Sequence, residues 1–257
     1  MREIVRPYIV RVVSLSSGVG KTRVVERICS YLSRNGYRFA VIKHAAKGID
    51  VDEKDSARAL RAGAPKVLVS SHGLAALYIA NWVDDLETSL TLLAGTPIIV
   101  VEGFRGVDVG DVIGVVSSVE EIEELRKDNL VALVSTSDRV VEECKARGYP
   151  AYRIDSDEIP QLVVNRALEY IASQLPGTDC GYCGYSTCRG FAEAFLRGRA
   201  SSWCPRSSEI RLRIDGVEIP MNPFVRNVLR NIVLGFINSL KNIPEKRQRI
   251  SIEIELY

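Results

Sequence analysis

The sequence predicts a three-layer α/β fold built on a mostly parallel sheet. Three observations predict it. Between residues 8 and 171, short β-branched runs alternate with helical patterns, which is the arrangement that lays helices over both faces of a parallel sheet. The first apolar run passes into Ser14-Leu15-Ser16-Ser17-Gly18-Val19-Gly20-Lys21-Thr22, a glycine-rich turn at the start of a helix. A later apolar run, Pro97-Ile98-Ile99-Val100-Val101, ends in a carboxylate, Glu102.

The elements follow in order. Residues 8–14 read as a strand and 21–35 as a helix stopped at Gly36, a residue suited to the left-handed turn that ends helices. Residues 38–43 form a second strand; a polar stretch, 45–54, leads to a short helix at 56–62 that ends at Gly63. Residues 66–71 and 74–80 read as a pair of strands, 84–94 as a helix, and 97–101 as a buried strand. Strands at 112–117 and 130–135 are each followed by a helix, and a short strand at 151–154 precedes a closing helix at 161–174. Pro176-Gly177 breaks that helix and marks a boundary.

The turn between the first strand and helix has the parts of a phosphate cradle. Glycines let backbone N–H groups turn inward, the helix N-terminus adds partial positive charge, and a lysine reaches the terminal phosphates. Ser17, Gly18, Val19, Gly20, Lys21, Thr22 and Arg23 are the expected nucleotide contacts. The Thr22 hydroxyl is placed to ligate Mg²⁺, with Glu102 as the second magnesium-organising group. Lys21 and Glu102 are the candidate catalytic residues. Leu15 stands where the usual G-x-x-x-x-G-K-S/T pattern has its first glycine, and Gly18 supplies a second glycine instead. The domain reads as a P-loop NTPase. Asp138, after the strand that ends Val134-Ser135-Thr136-Ser137, can contact a base edge or cap the next helix, and the cap is the expected role.

Residues 5 to about 172 resemble the MobB proteins of molybdenum-cofactor biosynthesis, which bind guanine nucleotide and assist formation of molybdopterin guanine dinucleotide. Three segments carry the resemblance: the phosphate loop; Ile42-Lys43-His44 with Asp50-Val51-Asp52-Glu53-Lys54-Asp55-Ser56 and Arg61-Ala62-Gly63-Ala64; and Val101-Glu102-Gly103-Phe104-Arg105. The resemblance implies that Asp50, Lys54, Asp55 and Ser56 lie beside the nucleotide, that Glu102 faces its Mg²⁺, that the nucleotide is GTP rather than ATP, and that the protein is a homodimer. This chain departs from the family in having Glu53 where glycine is usual.

A second motif is Cys180-Gly181-Tyr182-Cys183-Gly184-Tyr185-Ser186-Thr187-Cys188, followed by Cys204-Pro205. Four thiolates suit a 4Fe–4S cluster or zinc. Structural zinc usually takes two tight Cys-x-x-Cys pairs, whereas here one pair is tight and the last cysteine precedes proline, which favours the cluster. The segment also resembles the 4Fe–4S domain of the corrinoid-binding subunit of acetyl-CoA synthase complexes and of one component of ion-pumping electron carriers. Such a cluster can transfer electrons, sense oxidation or staple a small domain. Cys29 and Cys144 sit alone in helical patterns and read as small packed side chains.

In the tail, residues 209–221 alternate around Asp215-Gly216, a hairpin signal. A helix from 222 to about 240 carries one apolar face, and residues 249–256 alternate as a last strand. The expected domains are residues 1–175, 176–206 and 207–257, the last a ββαβ unit.

The net charge of +2 argues against a nucleic-acid partner, and no apolar run approaches the about 20 residues that span a membrane. Clustered cysteines and the lack of a secretory signal pattern point to the cytoplasm. Taken together, the sequence predicts a GTP-binding protein that assists synthesis or delivery of a molybdenum or tungsten pterin cofactor. Its expected partners are a pterin dinucleotide and an assembly protein or the molybdo- or tungstoenzyme. A nucleotide-gated electron carrier or redox sensor is the alternative. Hydrolysis, if present, is expected to be slow, since no water-orienting glutamine or arginine finger can be picked out.

Overall fold

Tyr8–Val13 (β1) is apolar at every position except Arg11, and the fold is built around it. The structure, a computed structural model, describes residues 5–45, 48–49, 55–125, 129–200, 204, 212–219, 221, 223–241, 252 and 254. β1 lies between β5 (Ile98–Glu102) and β6 (Asp111–Val115), with β2 (Phe39–Lys43) beyond β5 and β7 (Leu130–Ser135) and β8 (Ala151–Arg153) beyond β6. All neighbouring pairs in this six-stranded sheet are parallel. The register sets Val12 level with Glu102 and Val13 level with Gly114. The strand ends that carry the phosphate loop and the acid therefore lie on one edge.

Both faces are covered. Val10 and Val12 point to one side, where they join Val24 and Ile28 of α1 (Lys21–Arg34) and Ile159, Val163 and Ala167 of α6 (Glu158–Ser173). Val13 points to the other side, against α4 (Glu121–Leu125) and α5 (Asp138–Ala146) through Ile122, Val140, Val141 and Cys144. On the same side Leu86 of α3 (Leu86–Thr91) covers Ile99 and Val101. Helix, sheet and helix give the three layers expected from the sequence. Between β2 and β5, α2 (Asp55–Arg61) is followed by an antiparallel hairpin of β3 (Lys66–Ser71) and β4 (Leu74–Ile79), which forms its own two-stranded sheet.

At the opposite edge of the sheet, α6 is tied to the amino ends of β1 and β6. Arg166 donates from Nε and Nη2 to Asp111, and the Tyr8 hydroxyl donates to the same carboxylate at 2.8 Å. Burial first, and the Asp111 carboxylate second, push the Tyr8 phenol well above its ordinary range.

The first core continues beyond residue 175. Helix α7 (Cys188–Leu196) places Phe191, Ala192, Phe195 and Leu196 in the same buried cluster as Val24, Ile28 and Leu32 of α1, and Cys204 joins them. The Arg38 N–H donates to the Leu196 carbonyl at 2.8 Å. Arg197 lies 4.5 Å over the Tyr37 ring and donates to the Asn35 carbonyl. Thr187 caps α7 by accepting from the Gly190 N–H at 2.9 Å. Thr187→Ala is expected to lower stability by about 1 kcal/mol, as read from urea midpoints.

In the tail, β9 (Leu212–Ile214) and β10 (Val217–Ile219) form the expected hairpin across Asp215 and Gly216, both at positive φ. Helix α8 (Pro223–Ser239) follows. Of the expected last strand, Ile252 and Ile254 alone are among the described residues, and both are exposed.

Candidate functional site

Gly20 begins the site: its φ of 109° lies in the left-handed region that favours glycine, and a Cβ there would press on the end of the Ile154 side chain. As N-cap of α1 it offers no side chain, so none competes with a ligand for the first-turn N–H donors of the helix. Gly18, at φ 80°, supplies the preceding turn. Leu15, in the place of the usual glycine, packs against the core under α4 and α5 and anchors the start of the loop.

Lys21 Nζ turns back over this loop. It donates to Ser14 Oγ at 2.6 Å and to the Ser16 carbonyl at 3.1 Å. An incoming phosphate oxygen can take over these donations without the ammonium moving far. The Thr22 hydroxyl donates to Glu102 Oε1 at 2.8 Å. Glu102 is only 9% exposed, and Lys43 Nζ stands 3.9 Å from its other oxygen. The structure thus brings together Lys21, Thr22 and Glu102, which the sequence singled out from positions some 80 residues apart. Ser17, Gly18, Thr22 and Arg23 are exposed around the loop, and Val19 packs on the first core. Asp50 and Lys54 lie outside the described residues; Asp55 and Ser56 open α2, and their side chains lie outside what is described.

Two features were missed from the sequence. His44, directly after β2, stacks on Phe104 at 4.4 Å and faces Asp84 Oδ2 at 3.0 Å. Phe104 follows Glu102 by two residues and holds a φ of 53°. Fully buried Arg11 secures the loop that contains it: Nε donates to the Val109 carbonyl at 2.6 Å and Nη1 to that of Phe104 at 2.9 Å. One guanidinium in β1 therefore ties both ends of the loop behind the acid. Burial lowers its pKa, and the signal available beforehand was a lone cation in an otherwise apolar strand.

One expectation is corrected. Asp138 does not cap α5. Ser137 takes that position in extended backbone, its hydroxyl facing the Val140 N–H at 3.5 Å, and Asp138 is the first residue of the helix.

The cysteine segment turns tightly. The Gly184 N–H donates to the Gly181 carbonyl at 2.9 Å, and Asp179 Oδ1 accepts from the Cys188 N–H at 2.6 Å. Cys180, Cys183 and Cys188 are half-buried, Cys204 is buried, and none of the four is in a disulfide. Cys183 and Cys188 pack against the same core as Cys204. The donor set has the chemistry of an iron–sulfur site. Among the described residues, no three His, Cys, Asp or Glu side chains are gathered closely enough to hold a metal ion. Burial raises the thiol pKa of both Cys29 and Cys144, as expected for packed, unreactive side chains.

Residues 9–136 match the family model described as MobB, molybdopterin guanine dinucleotide synthesis protein B. The N-terminal domain belongs to the MobB family. Residues 175–205 match a second model, described as "Putative Fe-S cluster". The chain is similar to a Methanocaldococcus jannaschii protein named "Putative molybdopterin-guanine dinucleotide biosynthesis adapter protein", 27% identical over 92% of this chain and 93% of that one. The Escherichia coli adapter protein is 32% identical over 38% of this chain and 59% of its own length. The crystal structure of Bacillus subtilis MobB superposes with a TM-score of 0.53 at 26% identity, over 66% of this chain and 99% of that one. Part of the chain is 33% identical to a component of the Aliivibrio salmonicida ion-translocating oxidoreductase complex, over 27% of this chain and 34% of that one. The MobB domain thus continues into an Fe–S domain. No helix among the described residues is long and apolar enough to cross a membrane.

Proposed function

We propose that this protein binds GTP with Mg²⁺ in the cytoplasm and assists synthesis or delivery of a molybdenum or tungsten pterin guanine dinucleotide cofactor, with a 4Fe–4S cluster held by Cys180, Cys183, Cys188 and Cys204. The observation that carries it is the Lys21, Thr22 and Glu102 constellation at the mouth of α1 in a domain of the MobB family. Lys21 and the free N–H groups of α1 hold the phosphates, while Thr22 and Glu102 hold the metal ion. The cluster supplies one-electron chemistry or structural support when bound. The adapter names of the M. jannaschii and E. coli relatives support a partner in cofactor assembly or the molybdo- or tungstoenzyme itself. The domains are taken as residues 1–175, 176–206 and 207–257, with Asp50, Lys54, Asp55 and Ser56 beside the nucleotide. Leu68, Leu74 and Leu77, exposed on the β3–β4 hairpin, support pairing of two copies.

The test is titration of anaerobically purified protein with GTP, ATP and a molybdopterin dinucleotide while the cluster's absorption and EPR are recorded. Tight GTP and pterin binding with an unchanged cluster is the expected result; absence of pterin binding overturns the assembly role. Glu102→Gln is expected to weaken the Mg²⁺-dependent part of GTP binding about tenfold, with metal-free binding retained.

One observation favours a second reading, a nucleotide-gated redox partner. The cysteine segment shares its core with α1, the helix that begins at the phosphate loop. A cluster spectrum or potential that moves with nucleotide, in the absence of pterin binding, establishes that reading instead.

A further inference from the structure

The phosphate loop occupies the carboxyl edge of the sheet, and the amino edge holds a cavity of its own. It measures about 580 Å³ and lies where β1 and β6 begin, between α3 and α6. That is room for a ligand of cofactor size. Tyr8, Tyr170, Leu90 and Val109 give it aromatic and aliphatic walls, and the exposed residues Arg6 and Glu87 bring charge to it.

The walls are held in place. The Tyr8 hydroxyl donates to Asp111 at 2.8 Å and Arg166 Nε holds the same carboxylate at 2.8 Å, so the Tyr8 ring cannot swing in to fill the space. Tyr170 leans on that ring at 5.9 Å and 55°, and its own ring stays partly open. Gln174 clamps the Arg6 backbone, accepting from its N–H at 2.7 Å and donating to its carbonyl at 3.1 Å. Gly110, also in the lining, lies so close to β1 that a Cβ would meet the Ile9 carbonyl.

Among the described residues, neither Arg6 nor Glu87 has an ion-pair partner. One free carboxylate and one free guanidinium therefore share an aromatic-walled space. A carboxylate accepts hydrogen bonds and donates none, a guanidinium grips phosphate, and an open aromatic face takes a flat ring by stacking. A pterin phosphate presents all three counterparts: a flat bicyclic ring, N3–H and 2-amino donors on one edge, and an anionic group at the other end. The six residues of β1 put about 16 Å between this cavity and the phosphate loop, with the sheet between them. One ligand cannot fill both.

We infer that this cavity holds the pterin, with Glu87 accepting from its N3–H and 2-amino group, Tyr170 stacking on its ring and Arg6 binding its phosphate. The inference rests on the cofactor-assembly reading above and deepens it: a pterin at this edge is carried by the chain, not joined to the nucleotide at the other edge. The test titrates the anaerobically purified full chain with neopterin monophosphate and with neopterin, read by ligand fluorescence and calorimetry, with and without GTP. Tyr170→Ala and Glu87→Gln are each expected to weaken neopterin monophosphate about tenfold. Arg6→Gln is expected to abolish the preference for neopterin monophosphate over neopterin. All three side chains are exposed, so the melting temperature and the affinity for GTP are expected to stay as in wild type. Unchanged pterin binding in Tyr170→Ala or Glu87→Gln overturns the assignment of the cavity and leaves the assembly reading standing. So does competition between GTP and the pterin, or a wild type that binds a molybdopterin dinucleotide but not neopterin monophosphate. A wild type that binds neither pterin compound overturns the assembly reading and this inference together.

Discussion

Lys21→Ala is expected to lower the affinity for GTP and ATP alike by about a hundredfold or more, with the fold retained. The reason lies in what the ammonium does before a ligand arrives. It is held over the loop by Ser14 Oγ and the Ser16 carbonyl, so a phosphate meets a cation already in place and its ordering costs little further entropy. Alanine removes that charge but leaves the Ser14 hydroxyl still donating to the Ser16 carbonyl, so neither group loses its last partner. The stability change is therefore expected to stay near 1 kcal/mol or below. Calorimetric titration and thermal melting on the same samples separate the two effects. Lys21→Ala should weaken both nucleotides equally. A Lys21→Ala protein that binds GTP within about threefold of wild type removes the phosphate-loop assignment.

Much of this site is legible in the sequence because it depends on local order. A buried strand must end where a glycine-rich turn begins, a helix must follow, and Lys21 and Thr22 then occupy its first turn whatever surrounds them. Glu102 is nearly as plain, since a continuous apolar strand that ends in a carboxylate belongs at the carboxyl edge of a parallel sheet. Arg11 was not legible. Its partners are carbonyls of residues 104 and 109, which no periodicity in β1 announces; the cation in an apolar run says only that some buried acceptor must exist. The His44 and Phe104 stack depends on β2 and β5 being neighbours, a matter of strand order. The cap of α5 was misassigned because Ser137 and Asp138 both suit an N-cap by residue type. Backbone geometry decides between them, and it makes Ser137 the extended residue. The tail's final alternating strand falls largely outside the described residues.

Phe191→Ala is expected to destabilise the protein by about 3–5 kcal/mol, and the loss should reach well beyond the cysteine segment. Phe191 is 2% exposed; Tyr185 meets its ring edge-on at 5.7 Å and Phe195 stacks at 6.5 Å. These rings occupy the same cluster as Val24, Ile28 and Leu32 of α1 and Val163 and Ile171 of α6. A segment that only carried its own metal site would open separately, and the MobB domain would keep its transition unchanged. A shared core predicts otherwise, because the cavity left by the ring weakens packing on α1 and α6 together. Urea unfolding of Phe191→Ala should therefore remain one transition at a lower midpoint, and amide exchange should rise in α1 as well as α7. Faster exchange confined to residues 180–200, with α1 protected as before, would show the two parts to be independent. If α1 does respond, anything that tightens or loosens the four thiols must also act on the helix whose first turn receives phosphate, and by linkage the nucleotide must act equally on them.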